Sequence, residues 1–245
     1  MKVAASVVRP RSGDVLEGPE AVRHIRAQLD WSSFLPPHAR SFGWHVQLLA
    51  KRVMDVVLAL LALLALLPLF AVVACAIRLT SAGPVLYRLR VLGRHARPFV
   101  TYKFRTMVAD ADAQKSHYLH CNEMSGPVFK MRNDPRVTPL GRVLRRYSID
   151  ELPQLWSVLK GDLSLVGPRA PSPAEFACFE PWQWGKLAVT PGLTCLWQVS
   201  GRSEIRDFAT WATLDLEYIQ RWNLLLDVRL LLRTVPVVIT ARGAY

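Results

Sequence analysis

The densest chemistry in the chain lies in eleven residues, Arg145-Arg146-Tyr147-Ser148-Ile149-Asp150-Glu151-Leu152-Pro153-Gln154-Leu155. Two adjacent carboxylates stand just downstream of two arginines. Pro153 lacks a backbone donor and is tolerated in the first turn of a helix, so the spacing predicts a helix beginning at Asp150. Free N–H groups and the macrodipole at such a terminus favour anions and a bound phosphate. A carboxylate held there stays ionised, suited to act as a nucleophile or as a hard oxygen ligand for Mg2+. The same residues also spell a capping box, with Ser148 as N-cap and Glu151 at N3, and both readings stand at this point.

The elements that must position this pair can be read outward from it. The helix from Asp150 is expected to run to Leu159, with Gly161 as its stop. Leu163-Ser164-Leu165-Val166 reads as a buried strand, and Gly167-Pro168-Arg169 as a tight turn that presents a guanidinium. Such a fork binds diphosphate oxygens bidentately, while the plainer reading is a solvent-exposed turn arginine. Residues 189–194 read as another turn. Upstream, Gly83-Pro84-Val85-Leu86-Tyr87 is a turn and short strand, and residues 99–105 alternate like a second strand, making a hairpin across a basic loop at 88–97. Lys103 and Arg105 then share a face. Residues 108–123 read as an exposed polar helix and Asn133-Asp134-Pro135-Arg136 as a turn. Phe208, Trp211, Leu214, Tyr218 and Trp222 recur at helical spacing, as core or as an interfacial anchor.

Val56 to Ile77 is an uncharged run of 22 residues rich in Leu, Ala and Val, of membrane grade. Pro68 divides it into arms of roughly 18 and 14 Å, each about half of a ~30 Å hydrocarbon core. Lys51 and Arg52 precede the run; Arg78, Arg88, Arg90 and Arg94 follow it. Positive charge at both ends satisfies the positive-inside rule when both ends face the cytoplasm, which favours a helix that breaks at Pro68 and returns over a kinked full span. Asp55 is expected to pair with Arg52 or to lie at the interface. Residues 224–239 are apolar but carry Asp227, Arg229 and Arg233, and read as a helix on the membrane surface. Residues 1 to about 30 read as a mobile or partly helical lead-in, and 31–50 have a composition suited to a membrane interface or to ordinary packing.

The 245 residues carry 31 Lys and Arg against 19 Asp and Glu, a net charge of +12 that implies an anionic partner. No nucleic-acid motif accompanies that charge, so lipid or a phosphorylated substrate is the expected partner. Cys75, Cys121, Cys178 and Cys195 form no C-x-x-C pair, which fits a reducing, cytosol-facing location.

Lys51-Arg52 with Asp55, the proline-divided apolar run, Lys103-Phe104-Arg105-Thr106-Met107, residues 133–138, residues 148–155, residues 160–169 and Thr190-Pro191-Gly192-Leu193-Thr194 with Trp197-Gln198 together closely resemble the bacterial sugar transferase family, the monotopic polyprenyl-phosphate phosphoglycosyl transferases. The resemblance covers about residues 49–240. It implies an α+β, mostly helical protein in three parts: an N-terminal extension (1–48), a re-entrant membrane helix (49–80), and a cytosolic catalytic domain with a small β-hairpin and interfacial C-terminal helices (81–245). Its implied reaction moves a sugar 1-phosphate from a UDP-sugar to undecaprenyl phosphate, releasing UMP through a phospho-aspartyl enzyme, and begins exopolysaccharide, capsule or O-antigen assembly. A transferase moving only the sugar would release UDP instead. Asp150 matches the family nucleophile and Glu151 its partner carboxylate, with Mg2+ at the dyad. Arg145 and Arg169, with Gly167 and Pro168, match the phosphate and nucleotide site; Lys103 and Arg105 lie in a motif at its edge. The setting implied is the cytoplasmic face of a bacterial inner membrane, beside anionic lipids; a homodimer is compatible with it. Three departures stand out: Ala170 where the family commonly has proline, Cys195 where it usually has glycine, and a differently spaced glycine in residues 90–96.

Overall fold

The computed structural model describes residues 19–201 and 204–241. Helices and strands follow in the order α1 (Pro19–Gln28), α2 (Phe42–Thr80), β1 (Leu86–Leu92), β2 (Pro98–Phe104), α3 (Ala111–Gln114), α4 (Pro139–Arg146), α5 (Leu155–Lys160), β3 (Ser164–Val166), α6 (Pro173–Ala177), β4 (Gly192–Thr194), α7 (Leu196–Ser200), α8 (Phe208–Arg221) and α9 (Leu224–Ile239), with 3-10 turns between several of them. The fold is mostly helical, as expected, with two small sheets rather than the hairpin alone: β1 and β2 are antiparallel, β3 and β4 parallel. The segment at 189–194, read as a turn, thus contains a strand. The polar segment at 108–123 contains one α-turn followed by a 3-10 stretch rather than one helix.

The hairpin is longer than its sequence pattern indicated. Pairing runs from Leu86 opposite Phe104 to Leu92 opposite Pro98, so Arg88 and Arg90 lie on a strand and the loop shrinks to residues 93–97. Within it, His95 and Ala96 adopt left-handed φ of 56° and 53°. The His95 ring stacks on Trp31 at 5.3 Å, which holds this uncommon conformation against the N-terminal segment.

Ser41 opens α2 by accepting the Trp44 N–H, and the helix continues through Pro68 for 39 residues. Helical structure is not interrupted at Pro68, so a reversal there is a bend within a continuous helix rather than a break between two helices. Proline removes one intrahelical bond, and packing on either side sustains the course: Leu63 and Leu66 press on one cluster, Leu69 and Phe70 on another. The boundary drawn at residue 48 falls inside this helix. One stripe of α2 (Lys51, Asp55, Ala59, Val73, Ile77) is buried, while Leu60, Leu61, Leu64 and Leu67 are exposed. Only 11% of its most apolar 18-residue stretch is buried, so α2 is not a core helix, and it is long and apolar enough to cross a membrane.

Polar side chains fix the N-terminal half of α2. Lys51 Nζ reaches Asp227 Oδ2 at 2.5 Å and the Val166 carbonyl at 3.0 Å, and Asp227 also accepts from Tyr218 and Trp222. Asp55 does not pair with Arg52: its oxygens accept from Ser164 Oγ and the Leu165 N–H. Arg52 instead donates to the Val158 and Leu159 carbonyls, placing a cation at the C-terminus of α5. Three elements, α5, β3 and α9, are tied in this way to one stretch of α2.

The aromatic stripe of α8 is core. Phe208, Trp211, Tyr218 and Trp222 are all at most 6% exposed, and Trp31 and Phe34 join the same interior. Residues 19–48 therefore pack on the body. Residues 1–18, like Arg202, lie outside the described residues.

Candidate functional site

Two short segments bring the carboxylates to the end of the hairpin. Thr138 caps α4 through Gly141 N–H at 2.9 Å, and α4 crosses the chain just past β2 so closely that a Cβ at Gly141 would lie 2.0 Å from the Thr106 carbonyl oxygen. Arg145, on the last turn of α4, donates from Nε to Thr106 Oγ1 at 2.9 Å. The chain then turns at Ser148, whose φ of 54° is left-handed. That conformation is uncommon for a residue with a Cβ and aims the next two side chains back toward β2.

Asp150 and Glu151 lie in a 3-10 stretch, Ile149–Gln154, and the α-helix starts only at Leu155. The predicted capping box is not formed here, because a left-handed Ser148 makes no side-chain capping bond. It forms instead at Ser172 and Glu175, which carry the same S-x-x-E spacing on α6. Gly161 does end α5, in a left-handed conformation.

Asp150 is 8% exposed. Burial pushes its carboxyl above the usual carboxylate range; Lys103 opposes the shift, Glu151 adds to it and Arg145 opposes it. The helix-terminus argument for a carboxylate that stays ionised is overridden by this desolvation, and the neighbouring cations do the counteracting. Lys103 Nζ meets Glu151 Oε1 at 2.5 Å.

The dyad opens into a groove of about 660 Å³. Arg88, Arg90, Lys103 and Arg105 enter it from the hairpin, and Lys115, Lys130, Arg145 and Arg169 from later segments. Four carboxylates (Asp112, Asp150, Glu151, Glu175) face these eight cations, leaving an excess of positive charge suited to a polyphosphate. Arg169 lies there as expected but is braced by Glu175 through a two-bond fork of 3.1 and 3.2 Å. The charge of Arg169 and these bonds hold the Glu175 carboxyl below its ordinary value against the opposing effect of burial.

Not every predicted residue reaches the groove in the same way. Arg105 lines it, but its Nη2 is bound to the Ser81 carbonyl and hydroxyl, both at 2.8 Å, so it also clamps the end of α2. Gly167 and Pro168 are buried and do not line it. A Cβ at Gly167 would lie 2.6 Å from the Thr190 carbonyl oxygen, so the glycine serves the close approach of β3 and β4 and thereby sets Arg169. Cys195 has φ of −148°, an extended conformation any residue adopts, so its backbone does not call for glycine. Glu175 and the Lys186–Asp215 pair at 3.0 Å behind Arg169 were missed by sequence reasoning, and Gln198, named there as part of a family motif, was given no site role. Only the S-x-x-E spacing at Ser172 could have signalled one of them.

A buried carboxylate in a cationic groove, carried on a body tied to a long apolar helix, is an arrangement suited to group transfer between anionic substrates. The chain belongs to the bacterial sugar transferase family, whose family model matches residues 46–241. It is 39% identical over 207 residues to the galactosyl transferase CpsE of Streptococcus agalactiae, covering 84% of this chain and 46% of that protein. Against the exopolysaccharide production protein ExoY of Rhizobium meliloti it is 38% identical, covering 80% of this chain and 88% of ExoY. Identity to a UDP-glucose:undecaprenyl-phosphate glucose-1-phosphate transferase of Caulobacter vibrioides is 40%, covering 80% of this chain and 72% of that one. The chain thus spans less than half of the streptococcal protein.

Proposed function

We propose that the protein transfers a hexose 1-phosphate from a UDP-sugar to undecaprenyl phosphate, releasing UMP, and so begins assembly of an exopolysaccharide, capsule or O-antigen repeat unit. The observation that carries this reading is Asp150 itself, a buried carboxylate against Lys103 and Arg145 at the base of a polyphosphate-sized cationic groove. An Asp150 oxygen attacks the sugar-bearing phosphorus, the bond to the bridging oxygen breaks, and that oxygen leaves on UMP. The phosphosugar is held as an acyl phosphate. A phosphate oxygen of undecaprenyl phosphate then attacks the same phosphorus, and the carboxylate of Asp150 is released. Arg145, Lys103 and Arg169 take up charge on the phosphate oxygens, with Glu175 holding the Arg169 fork in place.

Mg2+ fits this donor set. It commonly takes one or two carboxylates and completes its shell with substrate phosphates and water, and Asp150 and Glu151 offer such a pair facing the groove. No set of three or more His, Cys, Asp or Glu side chains converges among the described residues, so the phosphates of the donor would supply the rest. Bound there, the ion would neutralise charge on the diphosphate.

The reading is tested by offering the full chain, in lipid nanodiscs, a panel of UDP-sugars with undecaprenyl phosphate and assaying nucleotide release. UMP from at least one donor supports it; UDP, or no nucleotide at all, refutes it. The raised Asp150 carboxyl also predicts an acid limb in kcat/KM above the ordinary aspartate range. Lys103→Met, which removes an opposing cation, should move that limb to higher pH. A limb that stays in place after Lys103→Met would mean that another group titrates.

We read α2 as re-entrant by a bend at Pro68 within the continuous helix, with both ends on the cytoplasmic face. In support, both ends are tied to one body: Lys51 and Arg52 by β3, α5 and α9, and Ser81 by Arg105. Exposed Leu225, Leu232, Val235 and Ile239 on α9, beside exposed Arg229 and Arg233, suit an anionic lipid surface. Single cysteines at the exposed His45 and Thr80, with Cys75, Cys121 and Cys178 replaced, should both react with an impermeant maleimide in inverted membrane vesicles. Labelling from opposite faces refutes the re-entrant arrangement. Pro68→Leu, which restores the missing helical bond, should shift part of the population toward a full span.

A further inference from the structure

We propose that Gln198 is a specificity-determining residue that donates a hydrogen bond to an oxygen on the uncharged part of the donor, its hexose or its base, and that Cys195 is the positioning residue that orients the Gln198 amide. The inference deepens the proposed function and rests on it for the identity of the donor.

The strands β3 and β4 are parallel, with Val166 opposite Thr194, so the chain leaves both at the same end of the sheet. From one comes Gly167-Pro168-Arg169, whose guanidinium faces the groove; from the other comes Cys195 and then α7, which carries Gln198 into the same groove. A diphosphate engaged by Arg169 therefore has Gln198 beside it, an uncharged donor next to a charged one. What an amide N–H recognises is a hydroxyl or carbonyl oxygen, which the hexose and the pyrimidine both offer.

Orientation follows from Cys195. This residue is 1% exposed and directly precedes α7, and its Sγ donates to Gln198 Oε1 at 3.1 Å. A planar amide carries its carbonyl and amino groups on opposite edges, so fixing Oε1 toward the sulfur turns Nε2 away from it and toward the groove. Burial and the charge of Asp215 hold the thiol well above its ordinary pKa, which keeps the S–H donor intact at neutral pH. The short helix cannot drift, because Trp197 stacks on Trp211 of α8 with ring centroids 3.9 Å apart and 8° between planes. A donor preorganised in this way discriminates more sharply than a loose one.

The test uses the full chain in nanodiscs with two series of donors: UDP-glucose against UDP-galactose, and UDP-glucose against its cytidine and thymidine counterparts. Gln198→Ala should raise KM for the preferred donor about tenfold, the worth of one neutral hydrogen bond, with kcat little changed. Discrimination should fall in one series, and that series identifies which end is read. Gln198→Glu separates the proposal from a merely structural role: it keeps an acceptor for the Cys195 thiol but removes the donor to the groove. It should therefore lose discrimination as fully as Gln198→Ala. Cys195→Ala should shift KM the same way by a smaller factor, and Cys195→Ser, which restores a donor, should recover the parental value. Parental behaviour of Gln198→Glu, or unchanged KM values in both series for Gln198→Ala, overturns the specificity role; parental behaviour of Cys195→Ala overturns the positioning role. A parent that releases no UMP from any donor refutes the proposed function instead, and calorimetric titration of UDP-glucose into parent and Gln198→Ala then decides this inference, equal affinities overturning it.

Discussion

Asp150→Asn is expected to reduce turnover by at least about 10⁴-fold, the scale seen when an enzyme loses its covalent nucleophile. The amide keeps the shape of the side chain and removes the attacking oxygen's charge. Stability should move in the other direction. Because burial raises the folded-state pKa of Asp150 above its unfolded value, the folded protein favours the neutral form. Its contribution to stability is greatest below the unfolded pKa and is lost as pH rises through the folded pKa, so at neutral pH the ionised group is a cost to the fold. Asp150→Asn should therefore melt at the same temperature as the parent or higher, the trade expected where an active site holds a strained charge. A variant that is both inactive and clearly less stable would mean that Asp150 is a structural carboxylate.

The second large effect concerns the strap between α2 and the body. Lys51→Ala leaves Asp227, which is fully buried, with its two neutral partners Tyr218 and Trp222 but no cation. Removing one partner of a buried pair costs about 3 to 5 kcal/mol, because the remaining charge stays desolvated. The expected result is a lower denaturation midpoint, read by urea or heat in detergent. The double variant Lys51→Met with Asp227→Leu, which removes both charges, should recover much of that loss. If Lys51→Ala melts like the parent, the ion pair is not what joins the membrane helix to β3 and α9.

The sequence disclosed those parts of this structure whose causes are local. Alternation showed the hairpin, an uncharged apolar run showed α2, and Gly161 marked the end of α5. It also pointed to Asp150, Glu151, Lys103, Arg145 and Arg169, which the fold brings to one groove. What was not legible depends on partners far along the chain or on a choice between equal local patterns. Lys51 and Asp227 are 176 positions apart, and no spacing rule joins them. Two S-x-x-E patterns compete for a capping box; the left-handed backbone at Ser148 rules out one, and Ser172 takes it. Strand β4 spans three residues and exists because β3 lies beside it, so its own sequence reads as a turn. Arg105 was placed at the site by the strand face it shares with Lys103 and by its family motif, yet its Nη2 is committed to Ser81 at the end of α2.

Passage of the sugar phosphate through a covalent bond to Asp150 is decided by intact-protein mass spectrometry after incubation with the UDP-sugar and Mg2+, without undecaprenyl phosphate. The expected result is a mass increase equal to one hexose phosphate on the parent chain, stoichiometric UMP release, absence of the adduct in Asp150→Asn, and its discharge when undecaprenyl phosphate is added. An adduct that persists in Asp150→Asn, or UMP release that occurs only with the lipid acceptor present, would contradict it and favour direct in-line transfer, with the carboxylates serving only as metal ligands.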